Sequence, residues 1–227
     1  PSKIMTRKAF ENAVIVASAI GGSSNCTTHL SAIAKHMGIK FDLSNWQKLG
    51  HEIPLLVNCQ PAGEYLMESF YRAGGVPAVM QELIKHKKIH TSIMTVSGKT
   101  VGTNLKRKIE TDKNVIKNFK DCLTEKAGFL VMKSNFFDSA IMKTSVISKD
   151  FRKRYLSNPK HLNVFLGKAV VFEGPEDYHK RIDSKKLNID ENSILIIRGC
   201  GPVGYPGAAE VVNMQPPAHL LKKGINA

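Results

Sequence analysis

An apolar run, Ile194-Leu195-Ile196-Ile197, breaks at Arg198 into a loop that no regular element can continue. Four glycines and two prolines fall within the nine residues 199–207, and a carboxylate, Glu210, follows. Glycine costs ordering entropy inside a strand or helix, and proline removes a backbone donor. A chain that places both here therefore needs a bend shaped for a purpose. The glycine density lets the backbone approach a ligand closely, and the loop then delivers Glu210. A lone glutamate more often faces solvent, so the residues alone leave both readings of Glu210 open.

Around this loop the chain changes character near its middle. Phe10, Ala13, Val14, Ala17 and Ile20 recur at helical spacing until Gly21-Gly22; Leu30, Ile33, Ala34 and Met37 make a second apolar face ending at Gly38. Ser44 is expected to cap a short helix through Trp46 and Leu49, and 53–57 reads as a short buried strand. Residues 64–72 read as helical, and Pro77 suits the first turn of a further helix to about Ile84. From Phe129 the pattern becomes short β-branched runs at 129–132, 141–147, 169–172 and 194–197, with helices expected at 175–182 and 217–223. The charged, weakly periodic stretch 106–125 reads as an interdomain linker. At 227 residues the chain can bury one large core or two modest ones. The expected class is α/β, with a helix-rich part over 1–120 and a strand-rich part over 121–227.

Several local signals have both a functional and a plain structural reading. Ser97-Gly98-Lys99-Thr100 resembles the end of a phosphate-binding loop, but Ile93 stands where that motif needs glycine, and the reading is rejected. Gly21-Gly22-Ser23-Ser24-Asn25 opens a helix, where free N–H groups and the helix dipole favour an anion such as a substrate carboxylate; the plain reading is a helix–helix turn capped by serine or asparagine. His29, one turn on, could pack or act. Lys143 could face inward or sit on the outer side of an alternating strand.

The formal charge of +14 invites a nucleic-acid partner. The basic residues are dispersed, however, and aromatics, at 7%, do not interleave with them as stacking platforms would, so nucleic acid is disfavoured. No apolar run approaches the about 20 residues that span a bilayer. Cys26, Cys59, Cys122 and Cys200 form no C-x-x-C pair, which argues against zinc and for a reduced, intracellular setting.

The order and spacing of 6–13, 21–34 with its Gly21-Gly22-Ser23-Ser24-Asn25, 72–80, 95–100, 135–145, 174–175 and 201–207 resemble the dihydroxyacid and sugar-acid dehydratases across nearly the whole chain. Gly204-Tyr205-Pro206-Gly207 with Asn213-Met214 is similar to the aldonate branch (arabinonate and xylonate dehydratases). In the branched-chain branch a second glycine usually replaces the tyrosine. Ser24, Ala208 and Val212 depart from the commoner threonine, methionine and glycine, which bears on substrate identity.

The resemblance implies a hydro-lyase that converts a 2,3-dihydroxy sugar acid to a 2-keto-3-deoxy acid. It also implies an iron–sulfur cluster, [2Fe-2S] ahead of [4Fe-4S], as Lewis acid, together with Mg²⁺. It marks Glu210 as a Mg²⁺ ligand and Gly22, Ser23, Ser24, Asn25, Gly204, Tyr205 and Gly207 as substrate-binding. None of the four cysteines matches a cluster ligand, although Cys200 lies in the loop. The cluster cysteines and remaining Mg²⁺ ligands are expected before Pro1, and the proton-abstracting serine after Ala227. The chain is thus expected to be a central fragment, inactive alone. It would hold the later part of an N-terminal α/β domain (1–120) and the first part of a β-rich, barrel-like C-terminal domain (121–227). The implied parent is a cytoplasmic homo-oligomer, dimer or tetramer, acting on a small sugar acid, with an organelle left open. The alternatives are a branched-chain dihydroxyacid dehydratase fragment, or a non-catalytic remnant that acts as a binding module.

Overall fold

The computed structural model describes residues 1–135, 138–200 and 214–225, and these divide into two compact units, Pro1–Ile147 and Ser148–Ala227. Glu210, Gly204, Tyr205 and Gly207 lie outside the described residues.

Unit 1 is built around α1 (Arg7–Ala19), which is apolar on two faces. Phe10, Val14 and Ala17 pack with Ala34, Phe41, Trp46 and Phe129. Ile15 and Ala19, on the next helical row, pack instead with Leu56, Val57, Phe70, Val79 and Leu83. A helix apolar on two faces must pack on both; the other elements of the unit are α2 (Asn25–His36), α3 (Leu43–Gly50), α4 (Met67–Arg72), α5 (Gly75–Lys85), α6 (Val101–Asn104), β1 (Phe129–Met132) and β2 (Ala140–Lys143), of which α2, α3 and α5 pack directly on α1. The two strands form an antiparallel ladder pairing Phe129 with Lys143. Trp46 and Phe129 meet edge to face, with centroids 4.9 Å apart and planes at 85°, a preferred aromatic geometry.

Three expectations change here. The cap of α3 is Asp42, whose carboxylate accepts from the Ser44 N–H at 3.0 Å; the two residues are both cap formers, and the aspartate wins by taking the serine's amide and hydroxyl together. Residues 53–57 are buried and extended but form no strand, because successive backbone groups pair with different partners: Leu56 N–H with Ala19 O, Leu55 N–H with Thr124 O, and Lys117 N–H with Leu56 O. The stretch 106–125 is therefore no linker. Val115 and Ile116 are 2% and 1% exposed, inside the first core; two apolar residues among charges are enough to seat it.

Unit 2 contains α7 (Lys149–Tyr155), β3 (Lys168–Phe172), α8 (Pro175–Arg181), β4 (Ser193–Ile197) and α9 (Ala218–Leu221). β3 and β4 run parallel, Val170 opposite Leu195 and Phe172 opposite Ile197, so α8 is the crossover of a βαβ unit. Pro175 sits at the helix start with Glu176 and Asp177 in the first turn, where proline and acidic side chains are favoured. The core is Val170, Phe172, Tyr178, Ile189 and Leu220. The strands expected at 129–132, 169–172 and 194–197 appear, whereas the 141–147 run is a strand only at Ala140–Lys143 and turns into a 3-10 helix at Thr144–Val146; among the described residues the sheets are two two-stranded ladders and close no barrel. The class is mixed α/β.

Candidate functional site

The turn between α1 and α2 forms one wall of a cavity of about 440 Å³ within unit 1. The end of α1 dictates its shape. Gly21 N–H donates to Ser18 O at 3.1 Å, and Gly22 N–H reaches back to Ala17 O at 2.7 Å. This double closure satisfies the last carbonyls of a helix and requires a left-handed residue between them. Gly21 takes that place at φ +66°, where a Cβ would stand 2.9 Å from Leu55 Cδ1. Glycine is required here by backbone and space together.

Beyond it, Ser23 Oγ accepts from Asn25 N–H at 3.2 Å. Ser24 occupies the cap position with no side-chain cap bond, and its carbonyl accepts from the Thr27 hydroxyl at 2.7 Å. The turn thus presents Gly21, Gly22, Ser23 and Ser24 to the cavity, at the positive end of a 12-residue helix. Asn25 belongs to the helix itself. The serine cap foreseen from sequence is real, but it comes from Ser23.

The facing walls come from Val57, Cys59, Gln60, Pro61, Met67 and Phe70. Lys143, the last residue of β2, completes the lining. It lies two residues from Ile141, which packs on the second core; residues two apart share a strand face, and that parity is the sequence signal for its inward setting. Burial pushes the Lys143 ammonium below its ordinary 10.5, with the Cys26 thiol a smaller opposing influence. Burial likewise pushes the Cys59 thiol up, which makes it a poor nucleophile. Beneath the turn lies Ser145, 8% exposed, whose hydroxyl has no hydrogen-bond partner.

Among the described residues the cavity lining contains no aspartate or glutamate, and Lys143 has no carboxylate within ion-pairing distance. Among those residues a half-buried ammonium and a helix N-terminus thus line one space with no carboxylate. Buried charge is costly unless paired, so the arrangement suits an anionic ligand of small-molecule size.

Of the residues marked from sequence, the structure brings Gly22, Ser23 and Ser24 together at this cavity, with Lys143 opposite. His29 lies in the second turn of α2 and does not line it. Among the described residues no three acidic, thiol or imidazole groups gather as a metal site would require. The four thiols are free. The described residues therefore offer no ligand set for a cluster or a cation.

Comparison with known proteins divides the chain earlier than the two compact units do, between residues 104 and 114. Residues 1–104 match the family model of the dihydroxy-acid/6-phosphogluconate dehydratase N-terminal region, and residues 114–227 match that of the C-terminal region. A D-xylonate dehydratase of Caulobacter vibrioides is 54% identical over 99% of this chain and 38% of its own length. An L-arabinonate dehydratase of Rhizobium leguminosarum bv. trifolii is 43% identical over 99% of this chain and 37% of its own. A dihydroxy-acid dehydratase of Caldicellulosiruptor saccharolyticus is 38% identical over 94% and 36%. The chain thus spans little more than a third of the length of these relatives. It belongs to the dihydroxy-acid/6-phosphogluconate dehydratase family.

Proposed function

We propose that this chain is part of a hydro-lyase that dehydrates a 2,3-dihydroxy sugar acid to a 2-keto-3-deoxy acid, and that the cavity beside Gly22 to Ser24 holds the acid's carboxylate end. The reaction removes a proton from C2 and hydroxide from C3, and the resulting enol tautomerises to the keto acid. The observation that carries the reading is the acid-free cavity in which Lys143 faces the start of α2. A carboxylate there would take charge-assisted hydrogen bonds from the ammonium and the turn's N–H groups, while the Ser23 and Ser24 hydroxyls suit the sugar hydroxyls. The names of the most similar relatives support an aldonate over a branched-chain substrate. In this reading 1–120 belongs to the later part of the family's N-terminal α/β domain and 121–227 to the first part of its C-terminal domain, in keeping with the family-model matches over 1–104 and 114–227.

The proposal includes the iron–sulfur cluster and Mg²⁺ that the sequence resemblance implies; these would supply Lewis acidity at the departing hydroxyl. The described residues do not fit either group, and Glu210, the one expected Mg²⁺ ligand, lies outside them. This chain's part is accordingly to bind and orient the acid and to exclude water from its carboxylate end.

The test is titration of the chain with D-xylonate and L-arabinonate, followed by amide chemical shifts of residues 21–26. Lys143→Met should weaken binding by about tenfold, the worth of one charge-assisted bond, and the neutral sugar xylose should not bind. Shifts that avoid this turn, or a Lys143→Met chain that binds as well as the parent, would sink the cavity assignment. Turnover of the same acids by the longer protein tests the reaction separately.

A further inference from the structure

A second cavity in unit 1, of about 470 Å³, lies between α5 and residues 108–117. The two sides are fixed to each other by side chains of α5. The Gln81 amide donates to Leu105 O at 2.8 Å and to Arg107 O at 2.6 Å, and its oxygen accepts from Ile109 N–H at 3.2 Å. At the next residue, the buried Glu82 carboxylate accepts from Phe119 N–H at 3.2 Å. The segment is thus pinned at both ends, and the space between is preformed.

Ala78, Ile109 and Ile116 supply an apolar floor, and the rim carries Lys85, Lys108, Lys113 and Lys117. Two glutamates oppose these four lysines, and they are not equivalent. Glu82 is occupied, with Lys85 Nζ at 3.0 Å and His86 Nε2 at 3.5 Å. Burial alone would raise its carboxyl, but the Lys85 ammonium and the Phe119 N–H outweigh that and hold it below the ordinary carboxylate range. Glu110 is exposed at the edge. Among the described residues Lys108, Lys113 and Lys117 have no ion-pair partner, and Lys117 is half-buried with its backbone N–H held by Leu56 O at 2.7 Å.

We propose that this cavity binds a phosphorylated small molecule, its phosphate on Lys108, Lys113 and Lys117 and its carbon skeleton on the Ala78, Ile109 and Ile116 floor. Three lysines without an ion-pair partner among the described residues line one opening and concentrate positive potential there, and a multiply charged anion gains most from it. The enclosed volume lies in the range of small-molecule sites. An apolar floor below a cationic rim suits an ester of phosphate better than bare phosphate. The site lies apart from the Lys143 cavity and shares no lining residue with it.

The experiment is calorimetric titration of the 227-residue chain with inorganic pyrophosphate, glucose 6-phosphate and glucose at an ionic strength of about 0.15 M, where surface attraction is screened. Saturable one-to-one binding of the two phosphates, with none of glucose, is expected. Lys113→Glu/Lys117→Glu should abolish it, and Lys108→Ala/Lys113→Ala, at two exposed positions that leave the core untouched, should weaken it tenfold or more. Lys185→Glu/Lys186→Glu, an exposed pair in unit 2, should leave it unchanged. The proposal fails if neither phosphate saturates, or if the unit 2 pair weakens binding as much as the cavity pair. It also fails if single-stranded RNA binds and pyrophosphate does not compete, since the lysines would then be a nucleic-acid surface.

Discussion

The two units reach order by different means. Unit 1 buries two apolar clusters on opposite faces of α1, of fifteen and seven buried residues. Unit 2, among its described residues, buries five, and polar pins do more of the positioning. Tyr178 closes a two-bond ring with Gln215, donating to its carbonyl at 2.9 Å and accepting from its N–H at 2.7 Å. Arg181 chelates Asp177, caps the carbonyl of Val171 at 3.1 Å and lies over the Phe172 ring. A large core fixes geometry through packing, which is insensitive to pH and salt. A small one needs directional bonds, which are not. The acid-free cavity with its half-buried lysine is found in unit 1, where surrounding apolar burial can offset the cost of an unpaired charge.

The largest expected effect is in the packed unit. Phe129→Ala removes a fully buried ring from the edge-to-face pair with Trp46, and should cost about 3–5 kcal/mol. Denaturant unfolding read by Trp46 fluorescence measures it. A loss under 1 kcal/mol would show that unit 1 does not depend on this packing. Because β1 pairs with β2 through Phe129 and Lys143, the same change should also disturb the cavity's lysine, whereas a change in unit 2 should leave it in place.

Much of the secondary structure in both units was legible because its signals are periodic and local. Gly21 and Gly38 end α1 and α2 near where the apolar spacing stops, and β1, β3 and β4 follow their β-branched runs. What escaped notice depended on distant partners. The extended 53–57 has no strand neighbour of its own, and 106–125 is seated by Val115 and Ile116 although charge dominates its composition. Residues 149–155 form α7, capped by Ser148 Oγ accepting from Phe151 N–H at 3.1 Å, although the helices expected in this half are only 175–182 and 217–223. At the site, the Gly-Gly-Ser-Ser turn was visible as a helix start. Lys143 was ambiguous because parity with Ile141 places it only once the face that meets the core is known, and that face is fixed by pairing with β1, more than a dozen residues away.

A smaller, more directional effect is expected at the first pin of unit 2. Tyr178→Phe keeps the ring packed against Phe172, whose centroid is 5.4 Å away, and removes only the hydroxyl. Both backbone groups of Gln215 lose their partner, so unit 2 should lose about 1–3 kcal/mol while unit 1 is unchanged. Hydrogen exchange at Gln215 and its neighbours reads this locally. Unaltered protection there would mean that the ring alone holds the 214–217 segment.

The smallest effect expected is electrostatic, and its sign is fixed by the titration of Asp177. The Arg181 guanidinium, then the Glu173 N–H, hold the Asp177 carboxyl down at about 2, against an ordinary 3.8. A carboxylate depressed in the folded state stabilises it fully above the unfolded value and loses that contribution as pH falls through the folded one. The stability difference between the parent and Asp177→Asn should therefore be level from pH 7 to 5. It should shrink below about 3.8 and be lost only once pH falls below about 2. Both groups are solvent-accessible, so the difference should be modest and should fall further in high salt. Unit 1, whose order rests on apolar packing, should show no matching trend with Asp177→Asn. A difference that persists unchanged below pH 2 would show that the charge of Asp177 is not its source, and the contrast between a packed unit and a pinned one would lose its electrostatic half.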